Sequence, residues 1–111
     1  MEAKEKGRME IASWVKSKIK ETDKIIMSRD SFVSMTTGNY WYIFPMDYPL
    51  RVIKYAQAQR ADYLLAEEHL FSWLAAPLEW TEYFLNSEDK PGLKFIASYP
   101  EGEEYPTTVL Y

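Results

Sequence analysis

The sequence predicts an α/β domain with a three-layer, Rossmann-like arrangement: a mainly parallel sheet between helices, closed by a C-terminal antiparallel hairpin. Three short apolar runs, in 24–28, 39–44 and 61–66, alternate with segments of helical periodicity at the intervals typical of βαβ units. Two further strand-like segments near the C-terminus are joined by a short loop, which favours an antiparallel pair.

The first helix is predicted over Met9–Lys20, with Trp14 packing at the edge of its buried stripe. The strand Lys24–Ser28 follows, and its centre, 25–27, is an uninterrupted apolar run, which is typical of a strand buried on both faces. Four apolar residues at helical spacing predict the stripe: Ile11, Ala12, Val15 and Ile19.

A short helix should then run to about Met35, capped by Asp30 or Ser31, and Gly38 suits its end. The second strand, Asn39–Phe44, should stop at Pro45.

The next helix is predicted over Tyr48–Gln59, with Pro49 suited to its first turn, and the third strand over Ala61–Ala66. The predicted buried side of that helix consists of Leu50, Ile53, and Ala56 or Ala58.

The segment Phe71–Leu85 has helical character that Pro77 should kink or break. The fourth and fifth strands are predicted over Leu93–Tyr99 and Thr107–Tyr111. Residues 1–8 are expected to be a disordered or expression-derived N-terminus, and 9–111 a single α/β domain. Three residues of the interrupted helix should point inward: Trp73, Leu74 and Leu78.

Composition excludes several classes of function. The net charge of −4 and the lack of a dense Lys/Arg cluster argue against nucleic-acid binding. Without cysteine the chain has no disulfide, thiolate zinc site or cysteine nucleophile. The first strand is followed by SRDSFVS, which has neither glycine-rich phosphate-binding pattern. No cofactor is therefore expected.

Candidate ligand-binding residues follow the strands, because ligands of open α/β sheets bind at the carboxyl ends of the strands. One hypothesis is a polar pocket for a sugar, a lipid-linked phosphate or a divalent cation, with carboxylate oxygens as ligands. The alternative, which we favour, is that Asp30 caps a helix and the glutamates are solvated. The polar residues expected at this edge are Arg29, Asp30, Ser31, Asp47, Glu67, Glu68 and His69, and all of them except Asp47 are candidate ligand-binding residues.

Aromatic residues are unusually dense around the second strand. Tyr40 and Tyr42 could stack on sugar rings or meet a membrane interface. The favoured alternative is that alternate members of the group fill the core and the others lie at its edge. The whole group is Tyr40, Trp41, Tyr42, Phe44 and Tyr48; the same alternatives apply to Phe71, Trp73, Trp80, Tyr83 and Phe84.

Glu10–Pro45 resembles the soluble C-terminal region of archaeal and bacterial multi-pass membrane glycosyltransferases of the dolichyl-phosphate-mannose mannosyltransferase-like type. The features that carry the resemblance in this stretch are Trp14, Asp30, Gly38 and Pro45. Val52–Glu68 resembles the helix and strand that follow in that region, and Leu93–Tyr111 its closing hairpin.

This resemblance implies a non-catalytic extracytoplasmic domain whose partner is the transmembrane portion of its parent protein, with a glycan or lipid-linked sugar as a further partner. It implies no catalytic residue here, because the family's transmembrane helices and catalytic acidic residues have no counterpart in these 111 residues. Two alternatives remain open: a stand-alone small-molecule or divalent-metal-binding module, and a domain that forms a homodimer through its aromatic surface.

Overall fold

The computed structural model of the protein describes residues 3–45, 47–68 and 82–111. Its helices and strands alternate in the first half of the chain, as the apolar rhythm predicts. In chain order they are α1 (Ala3–Lys18), β1 (Ile25–Ser28), α2 (Phe32–Thr36), β2 (Tyr40–Ile43), α3 (Pro49–Ala58), β3 (Tyr63–Glu67), β4 (Ala97–Tyr99) and β5 (Thr108–Leu110).

The strands form one five-stranded mixed sheet in the order β2-β1-β3-β5-β4. β1 lies between β2 and β3 and is parallel to both. β5 is antiparallel to β3 on one side and to β4 on the other. The predicted parallel core and the C-terminal antiparallel pair are therefore both confirmed.

Alternate residues of the central strands enter two separate hydrophobic clusters, because successive strand side chains point to opposite faces of a sheet. Met27, Leu64 and Val109 belong to a cluster that also contains three residues of α3. Ile26 and Leu65 belong to a second cluster, with α1 residues and Val33 of α2. Helices thus contribute to the packing on both faces of the sheet.

The predicted stripe of α1 is buried as a unit on the second of these clusters. Trp14 is also buried rather than at the edge, and its ring packs against Tyr99 with 5.6 Å between the centroids. Lys16 and Lys18 occupy the last turn of α1, where cations complement the helix dipole.

The predicted buried side of α3 is wrong at one position. Leu50 is 57% exposed, whereas Val52, Ile53 and Ala56 are buried. Leu50 directly follows Pro49, the first residue of the helix, and belongs to neither hydrophobic cluster. Ala56, and not Ala58, completes the buried side.

The expected burial of alternate β2 residues is also wrong. All four residues of the strand are exposed, including Tyr40 at 59% and Trp41 at 37%. β2 lies at the edge of the sheet, so it has a neighbouring strand on one side only among the described residues. Phe44, just beyond the strand, is the one member of its aromatic group that is fully buried.

The fourth strand is shorter than predicted, because only Ala97–Tyr99 pair with β5. Earlier in the predicted strand, Lys90 and Leu93 exchange backbone hydrogen bonds across a turn. The Phe95 amide donates to Asp89 Oδ1 at 2.8 Å instead of joining the ladder.

Several predictions concern residues outside the described ranges: His69, Phe71, Trp73, Leu74, Pro77, Leu78 and Trp80. Of the predicted helix, Glu82–Phe84 is described and helical, and both Phe84 and Leu85 are buried. None of the helices in the described residues has the length and apolar character needed to cross a membrane.

Two glycines should respond in opposite directions to alanine. Gly38 has φ +76°, and an added Cβ would lie 3.3 Å from Thr22 Cγ2, so G38A should lower the free energy of unfolding by about 1–2 kcal/mol. Gly7 lies within α1 with no atom within 4 Å of an added Cβ, so G7A should raise it by about 0.5–1 kcal/mol. Urea denaturation of both variants checks this, and equal effects would contradict it.

Candidate functional site

Three charged side chains from different elements meet near the carboxyl ends of β1 and β3. Arg8 comes from α1, Asp30 follows β1, and Glu67 is the last residue of β3. Arg8 Nη2 forms an ion pair with Asp30 Oδ2, and Asp30 and Arg8 both act electrostatically on Glu67. This Arg8–Asp30–Glu67 cluster lies on the α1 face, because Glu67 alternates with Ala66 of the α3-side cluster.

Local hydrogen bonds hold Asp30 in place. Its Oδ1 accepts from the Phe32 amide at 3.0 Å at the start of α2, and its carbonyl accepts from Ser28 Oγ at 2.7 Å. Ser31 occupies the N-cap position but makes no side-chain capping bond. Of the two predicted caps, Asp30 therefore makes the side-chain bond to the helix, and its second oxygen is available to Arg8.

Glu67 is an unusual carboxyl because it is only 5% exposed. Burial, and after it the negative charge of Asp30, raises its pKa from 4.5 to about 7, against the opposing effect of Arg8. Its strand partner on the other side is Thr108 of β5, which is also buried. Glu67 can therefore exchange a proton near neutral pH.

An open groove of about 470 Å³ lies beside the ion pair. The guanidinium of Arg8 also lies 4.9 Å from the centre of the Phe32 ring, which forms part of the groove wall. The lining residues are Arg8, Asp30, Ser31, Phe32, Met35 and Thr36.

The other predicted site residues do not join this cluster. Arg29 turns away and donates from Nη1 to the carbonyl of Phe44 beyond β2. Glu68 is exposed although its neighbour Glu67 is buried. No set of three carboxylate or histidine side chains in the described residues could hold a metal ion, so Asp30, Glu67 and Glu68 do not form the hypothesised cation site.

Tyr40 and Tyr42 lie on the opposite face of the sheet from the cluster. Tyr42 pairs with Met27, which belongs to the α3-side cluster. Trp41 points to the other face, where its Nε1 donates to the Ser28 carbonyl at 3.0 Å. The predicted ligand-binding residues therefore divide between two places that the sheet separates.

A second candidate site is the edge strand β2, whose side chains are exposed on both faces of the sheet, together with the adjoining side of α3. A groove there is lined by residues from both elements, with Tyr55 and Gln59 from the α3 end. Tyr48, just before α3, is exposed, and the Arg51 guanidinium lies 5.7 Å from the centre of its ring. We call this the β2 aromatic surface: Tyr40, Trp41, Tyr42, Ile43, Tyr48 and Tyr55.

The sequence analysis missed two residues of these sites. Arg8 lies in the segment expected to be a disordered or expression-derived N-terminus, and only the position of α1 over the sheet brings it to Asp30. Tyr55 lies at helical spacing from Tyr48 and Arg51, so it could have been assigned to the same side of α3. The exposure of β2 had no sequence signal, because the strand order was not known.

Substitutions in the cluster should move the pKa of Glu67 in opposite directions. R8Q removes a positive charge and should raise it, whereas D30N removes a negative charge and should lower it. Carbon-13 NMR titration of the Glu67 carboxyl measures both shifts. K18Q is the matched control, because Lys18 lies on the same helix but pairs with Glu101. Identical titrations in R8Q and D30N would contradict the assigned cluster.

Comparisons of the chain with models of protein families, with curated proteins and with solved structures gave no match.

Proposed function

We propose that this chain is a non-catalytic extracytoplasmic domain of a membrane-embedded glycosyltransferase-like protein, with a three-layer Rossmann-like architecture. In this proposal the domain acts by contact, through the β2 aromatic surface, and helps to position an acceptor or a lipid-linked sugar donor. The transfer chemistry belongs to the transmembrane portion of the parent protein.

The exposure of β2 is the observation that carries the proposal. Four consecutive apolar or aromatic residues, Tyr40–Ile43, lie exposed on an edge strand that contains no charge and no proline. Exposed edge strands usually carry a charged residue or a proline, because an apolar edge without them associates with other surfaces. A domain excised from a larger assembly would expose a contact surface of this kind.

The Arg8–Asp30–Glu67 cluster supports a stand-alone binding module less well. Arg8, its basic residue, is already paired with Asp30. The adjoining groove is open, whereas small-molecule sites usually enclose most of the ligand. The described residues also bring no metal-ligand set together.

The first test is the complete reading frame around this segment. Several apolar stretches of about 20 residues upstream of Met9 would support the proposal, because each could span a bilayer. A natural frame that contains only this domain would overturn it.

In the complete protein, Y42S should then lower the rate of sugar transfer while the protein still accumulates in the membrane. The rate is measured with a radiolabelled lipid-linked donor. Y105S is the matched control, because Tyr105 is exposed but lies far along the chain from the β2 aromatic surface. Equal rates in the wild type and both variants would contradict a contact role for this surface.

A further inference from the structure

We infer that the β2 aromatic surface docks on an anionic lipid bilayer, with its rings among the headgroups and the basic residues of α3 against the lipid phosphates. The inference takes its biological setting from the proposed function and adds the partner that the surface contacts. Three properties of the β2 aromatic surface support docking on a bilayer: the charge around it, the chemistry of its side chains and the open backbone of β2.

The surface is locally basic in an acidic protein. Between residues 31 and 60 the sequence has three positive residues, Arg51, Lys54 and Arg60, against Asp47 as the one acid, which gives this segment a net charge of +2 in a chain of −4. Arg51 Nη1 lies 3.6 Å from Asp47 Oδ1, so Lys54 and Arg60 supply the positive charge that this acid does not offset. Charges further than about 10 Å from the bilayer are largely screened at physiological salt. The local charge therefore governs contact, and it favours anionic lipid.

The basic and aromatic residues share one side of α3. Tyr48, Arg51 and Tyr55 recur at three- and four-residue spacing, and Tyr55 shares a groove with Tyr42 of β2. The opposite side of the helix faces the turn closed by Lys90 and Leu93, since Gln57 Nε2 lies next to the position of a Cβ added to Gly92. The cations consequently lie next to the exposed rings rather than across the molecule.

The side chains suit the interfacial region of a membrane. Tyrosine and tryptophan prefer the headgroup level, where the ring is partly desolvated and the polar group stays hydrated. The Tyr40 amide donates to the Lys24 carbonyl and the Phe44 amide to the Ser28 carbonyl, so the backbone of alternate residues, such as Trp41, faces the open edge. No strand in the described part of the chain pairs with those groups, so at a bilayer they need water or headgroup partners, which places β2 above the hydrocarbon.

A second copy of the chain suits this surface less well. Antiparallel pairing of two β2 strands would put both α3 helices on one face of a continuous sheet. Arg51 and Lys54 of each copy would then approach the same residues of the other, and like charges at close range oppose association.

The test is co-sedimentation of the purified chain with phosphatidylglycerol–phosphatidylcholine vesicles and with vesicles of phosphatidylcholine alone. We expect binding to the anionic vesicles that weakens as salt is raised. K54Q should weaken it about fivefold, the effect of one basic residue near a charged surface. Y42S should weaken it about tenfold, through the lost apolar contact. K94Q and Y105S, exposed residues outside this surface, should bind as the wild type does.

Three results would overturn the inference: no sedimentation with anionic vesicles, equal binding to both vesicle types, or losses as large in K94Q and Y105S as in K54Q and Y42S. A dimer in analytical ultracentrifugation that Y42S converts to monomer would also overturn it, in favour of a second copy. The reading frame tests the proposed function separately, because vesicle binding by the isolated chain does not depend on transmembrane helices.

Discussion

Raising the pH from 4.5 to 7 should lower the free energy of unfolding by about 3 kcal/mol through the titration of Glu67 alone. Burial, followed by the charge of Asp30, raises the pKa of this carboxyl to about 7 in the folded chain. In the unfolded chain the same group is solvated and ionises near 4.5. The folded state therefore keeps a proton that the unfolded state has released.

The direction in which pH changes the free energy of unfolding follows from which state holds the proton. Below pH 4.5 both states are protonated and the stability is fully present. Between 4.5 and about 7 only the folded state holds the proton, so each rise in pH favours unfolding. Above about 7 both states are ionised and this contribution no longer changes.

The measurement is urea denaturation at closely spaced pH values for the wild type, E67Q and E68Q. Subtracting the E67Q profile removes the titration of the other carboxyls, and the difference should fall across the window given above. E68Q is the matched control, because Glu68 is the adjacent but exposed carboxyl. A wild-type profile parallel to that of E67Q would show that Glu67 has an ordinary pKa.

F44A should lower the free energy of unfolding by about 3–5 kcal/mol, the largest effect we expect from a single substitution. Phe44 is fully buried, and its ring meets Phe84 edge-on with 5.1 Å between the centroids. Removing the ring leaves a cavity between β2 and Phe84. The backbone bonds of Phe44, to the Ser28 carbonyl and from Arg29, are retained in alanine.

Y40A is the matched control for F44A, because it shortens an aromatic residue of the same segment that is exposed rather than buried. Its effect should stay within about 0.5 kcal/mol. Urea denaturation gives both values. A decrease in the free energy of unfolding below about 1 kcal/mol for F44A, or equal decreases for the two variants, would contradict the prediction. It would show that the buried Phe44 stabilises the fold no more than an exposed aromatic residue does.

Apolar periodicity predicted the helices and strands well where the burial of a side chain depends on residues close to it in the sequence. The stripe of α1 was predicted from helical spacing, and the burial of β1 from its continuous apolar run. The stripe is buried, and so are Ile26 and Met27 of that run. The C-terminal pair was predicted from the short loop between its strands and is antiparallel. In these elements the local pattern and the tertiary environment agree.

The candidate site was less predictable, because its parts are distant in sequence. Asp30 and Glu67 were expected at one edge of the sheet, and the structure couples them electrostatically. Arg8 enters only because α1 crosses that edge, 22 residues before its partner. Tyr42 was predicted as a ligand-binding residue because of its aromatic ring, and the structure places it on the opposite face of the sheet.

Apolar periodicity and short connections are local properties, so they were enough to predict an α/β domain with a mainly parallel sheet and an antiparallel end. Which strand lies at the edge of the sheet depends on contacts between distant segments, and it became known from the fold. The burial of an aromatic residue such as Tyr40 depends on its neighbours across the sheet, and strand order sets those neighbours. The same strand order leaves β2 exposed at one edge of the sheet and places Glu67 beside β5, where it is buried on the α1 face. The two candidate sites are therefore separate.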